Sequence, residues 1–212
     1  MKLYSILLLI FISVNIALLG SGVALGQTSY GFRIGANVST LSGEGFALGS
    51  PSPATGLVAG SFTRYALRSG MGIQLEVLYS TKGARFQDSE LIGRDVDVQV
   101  VYLETPVLFT YAPSLGTNLR PLLTVGPALG FELSERIVQA SDGLSQSERS
   151  ESLASPDLGV AFGGEVQFEL SGLDGSLGAR YTLGLRNLAE NETNAALRAS
   201  NRSLSFTVGF LF

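Results

Sequence analysis

Cysteine, histidine and tryptophan are absent from the 212 residues, and methionine occurs only twice. Without cysteine the chain has no disulfide and no thiol to carry a lipid anchor at a mature N-terminus. Without histidine it lacks the commonest general base and metal ligand. A hydrolase or acyltransferase would have to work on other groups, and no Ser-Lys or paired-Asp constellation stands out to replace imidazole or thiol. Strong charge of one sign is lacking as well. The 14 basic and 18 acidic residues leave a net charge of −4, which gives a nucleic-acid role no electrostatic support. The glycine-rich stretches Gly43-Glu44-Gly45-Phe46 and Gly159 to Gly164 do not open a helix after a parallel strand, so no phosphate loop, cofactor or metal site is read from them.

Long apolar runs are confined to the start. Lys2 gives a positive n-region, Leu7 to Leu19 an apolar h-region, and Ala24-Leu25-Gly26 a small-residue site before Gln27. This pattern predicts a cleaved secretory signal peptide over 1–26, followed by one domain over 27–212. The mean hydropathy of +0.31 is high, yet no later stretch is long enough for a membrane helix. The apolar residues are dispersed in alternation, which is how a membrane β-barrel carries its hydrophobicity.

Eight segments show that alternation. They are Gly31 to Val38, Gly56 to Tyr65, Met71 to Lys82, Val96 to Tyr111, Arg120 to Phe131, Leu158 to Leu170, Gly175 to Leu185 and Ser203 to Phe212. In the second, Val58, Gly60 and Phe62 are set as the apolar face against Ala59, Ser61 and Thr63. In the last, Leu204, Phe206, Val208, Phe210 and Phe212 oppose Ser203, Ser205, Thr207 and Gly209. Connections are expected to alternate in length, long at 39–54, 83–95, 132–157 and 186–202, short at 66–70, 112–119 and 171–174. The predicted fold is therefore all-β: an eight-stranded antiparallel up-and-down transmembrane barrel with short periplasmic turns and long extracellular loops, placed in the outer membrane of a Gram-negative cell. In the fourth strand the polar phase slips near Val100-Val101. A β-bulge there, or a strand rising above the bilayer where nothing enforces alternation, explains the slip equally well.

Taking the polar face of each strand as the lumen gathers Arg33, Glu76, Glu104, Arg120, Glu165 and Arg180 inside. Eight strands enclose room only for side chains, so these three bases and three acids are expected to form a structural ion network that plugs the barrel. A proton or ion path through paired carboxylates is the functional alternative. Gly126, Gly130, Gly159, Gly163, Gly178 and Gly184 on the same face make room for long side chains. Tyr79, Phe109, Tyr111, Phe131, Phe168, Tyr181 and Phe212 fall near strand ends, where interfacial girdles form. The stretch 132–157 is acidic and serine-rich and reads as a solvated loop.

Several segments resemble the small outer-membrane β-barrel proteins of Bacteroidetes-type bacteria, the group that includes the PorT-like proteins. They are Gly35-Ala36-Asn37-Val38-Ser39, Leu75 through Ala84, Tyr102 through Leu108, Val125 through Gly130 and Arg180 through Leu188, in that order along the chain. The resemblance implies an outer-membrane location and, in some members, a part in secretion or surface assembly, with an envelope or secretion protein as partner. The terminal aromatic strand, Phe206, Val208, Phe210 and Phe212, also resembles the signal by which barrel-assembly machinery recognises its clients. The sequence thus favours a non-enzymatic integral barrel embedded in outer-membrane lipid, with a structural or interaction role. A secretion accessory or narrow channel is the alternative.

Overall fold

Alternating β-branched and aromatic residues favour extended chain, but a single sheet in lipid would leave its edge amides unpaired at prohibitive cost; closure removes the edges. The computed structural model describes residues 28–44, 51–86, 96–114, 120–139, 157–185 and 198–212. The strands are β1 (Thr28–Glu44), β2 (Pro51–Ala66), β3 (Met71–Phe86), β4 (Val96–Tyr111), β5 (Arg120–Gln139), β6 (Asp157–Leu170), β7 (Leu173–Gly184) and β8 (Arg198–Leu211). Each pairs antiparallel with the next, and β8 closes on β1, from Gly31↔Leu211 to Glu44↔Arg198, so the sheet is a closed barrel. The expected signal peptide lies outside the described residues.

At one end the hairpins turn tightly. Between β6 and β7 stand only Ser171 and Gly172, at φ 52° and 82°. Two left-handed residues in sequence form the turn whose twist matches the strands it joins. Ser69 and Gly70 repeat the device between β2 and β3, with φ of 59° and 75°. At the other end the strands run further than the sequence predicts. β1 continues to Glu44, β3 to Phe86 and β5 to Gln139, so residues expected in loops are paired strand. The remaining stretches of those loops lie outside the described residues. Glu132 is likewise part of β5, and Asp157, expected at the end of a solvated loop, opens β6 and is buried.

The outer surface is an apolar belt. On β1 it runs through Tyr30, Phe32, Ile34 and Val38, on β8 through Leu204, Phe206, Val208, Phe210 and Phe212, all exposed. Eight steps from Tyr30 to Val38 at about 3.3 Å each, tilted by about 40°, give a height of about 20 Å, close to the apolar band of outer-membrane barrels. Of the aromatics expected at the interfaces, Phe109, Tyr111 and Phe212 are exposed near the tight-turn end, joined there by Tyr30 and Phe32. Phe212 packs on Tyr30 and Phe32 at 6.3 Å between ring centroids in each case, across the β1–β8 seam.

Above the belt the polarity inverts. Arg85 and Asp97 pair on the outside at 2.7 Å with half-exposed side chains, while Ala84 and Phe86 are buried inside with Leu41 and Val98 packed against them. This explains the phase slip in β4. The β3–β4 register runs unbroken from Val96 to Glu104, with Val98 inside and Asp97 outside, so the strand does not change face; the environment does. A register shift is present beside Val101, but it skips Leu133, so the extra residue belongs to β5.

One face assignment is reversed. In β2, Val58, Phe62 and Arg64 point into the lumen, and Leu57 is exposed outside with Ala59, Ser61 and Thr63 in its phase. Hydrophobicity misled there because the lumenal Phe62 ring packs against guanidinium groups.

Candidate functional site

The lumen is layered. In the middle layer five charged side chains from five strands converge. Arg180 on β7 donates from Nη1 and Nη2 to the two carboxylate oxygens of Glu76 on β3, at 2.6 and 2.8 Å. This is the two-pronged guanidinium–carboxylate geometry that fixes both distance and angle. Arg33 on β1 donates to Glu165 on β6 at 2.7 Å and lies 3.5 Å from Glu76. Arg64 on β2 reaches Glu165 at 3.3 Å and donates from Nε to Gln74 at 2.7 Å, and Gln74 donates in turn to Glu76. Phe62 lies between two of the cations, with the Arg33 and Arg64 guanidinium carbons 4.7 and 5.4 Å from its ring centroid. An aromatic face stabilises a desolvated guanidinium, which is why an apolar residue occupies the polar side of β2.

Two glycines make this layer possible. A Cβ on Gly178 would come within 3.1 Å of Glu165 Cγ and of Thr207 Oγ1, and one on Gly163 within 3.0 Å of Arg180 Cα. Long side chains fit in an eight-stranded barrel where the facing strand has none.

A second layer stands above. Lys82 contacts Glu104 at 2.7 Å and lies over the Tyr102 ring at 5.4 Å. Asn201 on β8 donates to the Tyr102 hydroxyl at 3.2 Å and to Asp157 at 3.0 Å. Asn37, Ser39 and Ser80, all buried, complete the wall with Asn37 donating to Ser80 at 3.1 Å. Among the described residues each layer encloses a void of about 10 Å³, room for about one water.

Of the six side chains expected in one network, Arg33, Glu76, Glu165 and Arg180 meet in the middle layer and Glu104 joins the upper one. Arg120 does not take part. It sits at the tight-turn rim, more than half exposed, 3.4 Å from Asp174, because the strand phase that points it inward runs out at the first residue of β5. Sequence reasoning missed Arg64, Lys82 and Asp157 as network members. Arg64 was legible in principle: it shares its phase with Phe62, and a charge inside a membrane strand fixes the lumen face more firmly than hydrophobicity does. Among the described residues no group of three or more carboxylates is placed to hold a metal ion.

The sequence model of the family described as "Outer membrane protein beta-barrel domain" matches residues 25–190. Among solved structures the chain is similar to Neisserial surface protein A, at 15% identity over 87% of this chain and 99% of that one, with a TM-score of 0.48. It is also similar to the attachment invasion locus protein Ail of Yersinia pestis, at 14% identity over 88% and 100% with a TM-score of 0.45. A major outer membrane protein of Thermus thermophilus follows at 16% identity over 86% and 99%, also with 0.45. No curated protein matches. The closed eight-stranded barrel, the apolar outer belt and the charged interior agree with the family match over most of the chain: this chain belongs to the outer membrane protein β-barrel domain family, and its place is the outer membrane.

Proposed function

We propose that the protein is a non-enzymatic integral barrel of the outer membrane with a structural or interaction role, its lumen closed and its loop end the working surface. The observation that carries this reading is the filled interior. Among the described residues each of the two layers of paired side chains encloses a void of about 10 Å³, too small for a hydrated ion to pass. Purified protein in planar bilayers is expected to show no steady current at neutral pH, and a sustained single-channel conductance would overturn the closed-lumen reading. That expectation also counts against a narrow channel. The secretion-accessory reading rests on the resemblance to PorT-like proteins alone, so it is not adopted. Export through a leader ending at Gly26 belongs to the same proposal, supported by the charged, apolar and small-residue pattern of residues 1–26. Intact mass of the membrane-extracted protein should correspond to a chain beginning within two residues of Gln27, and the uncleaved mass would refute it.

A further inference from the structure

Below the middle ion layer, at the tight-turn end, the lumen widens into a blind vestibule of about 480 Å³, against about 10 Å³ for each void above. We propose that this vestibule is a binding site for a small monocarboxylate with a short apolar body. Its roof is Arg64, the member of the middle layer that lines the cavity. That layer holds three guanidiniums, of Arg33, Arg64 and Arg180, against the two carboxylates of Glu76 and Glu165, so it carries one positive charge in excess beside the vestibule. Gln167 lines the wall, and its Nε2, buried within the residue's own surroundings, has no hydrogen-bond partner. At the rim Arg120 is held to Asp174 by a contact of 3.4 Å, both side chains are more than half exposed, and both line the cavity, so this pair adds no net charge to it. Leu67 and Met71, both exposed, give the lining its apolar surface.

The chemistry selects the ligand. Guanidinium groups only donate hydrogen bonds, and the amide Nε2 does the same. Donor side chains of Arg64, Arg120 and Gln167 line one cavity, and the one excess positive charge of the layer above it calls for an acceptor-only monoanion. A planar carboxylate matches the guanidinium fork with two parallel bonds. The volume lies within the range of small-molecule pockets. The pocket's chemistry is independent of the closed-lumen reading; only its access from the periplasm depends on the orientation usual for barrels of this family.

The test uses the full mature chain in lipid nanodiscs, titrated with N-acetylalanine and, separately, with its neutral primary amide. Calorimetry and the side-chain amide signal of Gln167 are the two readouts. Saturable binding of the carboxylate with a shift of the Gln167 signal, and no binding of the amide, is the expected result. Arg120→Gln and Gln167→Leu should each weaken binding about tenfold, as loss of a charge-assisted or buried hydrogen bond does. Arg120→Gln lies at the rim and leaves the ion layers intact, so it keeps the test clear of misfolding. Absence of saturation, equal binding of the amide, or indifference to both substitutions would each overturn the proposal.

Discussion

Glu76 is the residue on which most of the interior converges. It is fully buried, takes both prongs of Arg180, accepts from Gln74 and lies 3.5 Å from Arg33. Replacing it by Gln keeps the shape and removes the charge that two cations share, and an uncompensated buried charge costs about 3–5 kcal/mol. Urea unfolding of the barrel refolded into lipid should therefore show Glu76→Gln destabilised by about 3 kcal/mol. Arg120→Gln, at the exposed rim pair, should change stability by less than about 1 kcal/mol. Equal effects of the two would show that the middle layer is not structural. At this scale the sequence was half legible. Charges on β3, β6 and β7 stand among small or polar neighbours and declare their face; Phe62 and Arg64 do not, because a cation–π platform looks like a lipid contact until its partners are known.

Among the strands, β8 carries the seam. It pairs with β7 on one side and β1 on the other, and Phe212 closes the joint by packing on Tyr30 and Phe32. The backbone exchanges bonds there as well, Phe212 N–H donating to Tyr30 at 2.8 Å and Tyr30 N–H to Phe212 at 3.3 Å. Deleting Phe212 removes a ring and the last bonds of the closing ladder. The truncated protein should accumulate in the membrane at a small fraction of the full-length level, and equal levels in heat-modifiability gels would refute this. Alternation made every strand legible, since its period is imposed by lipid on one side and lumen on the other. Strand ends were not legible: above the bilayer the hairpins go on pairing with apolar residues inside and Arg85, Asp97 outside, the reverse of the membrane rule.

For the whole molecule, closure, strand order and the apolar belt follow from the pattern of the sequence, whereas the layering of the lumen does not, because it depends on which residues face each other across the barrel. Arg180 and Glu76 join β7 to β3, Arg64 and Glu165 join β2 to β6, and Asn201 and Tyr102 join β8 to β4. In a ring of eight, strands four apart stand at opposite ends of a diameter, so these three contacts are struts across the circle. A ring of strands held only at its rim flattens into an ellipse under lateral pressure from the bilayer; one with struts on three diameters resists along each of them. The interior contacts thus make the barrel a stiff wheel in the plane of the membrane, able to hold its cross-section round as the lipids around it change in thickness or tension.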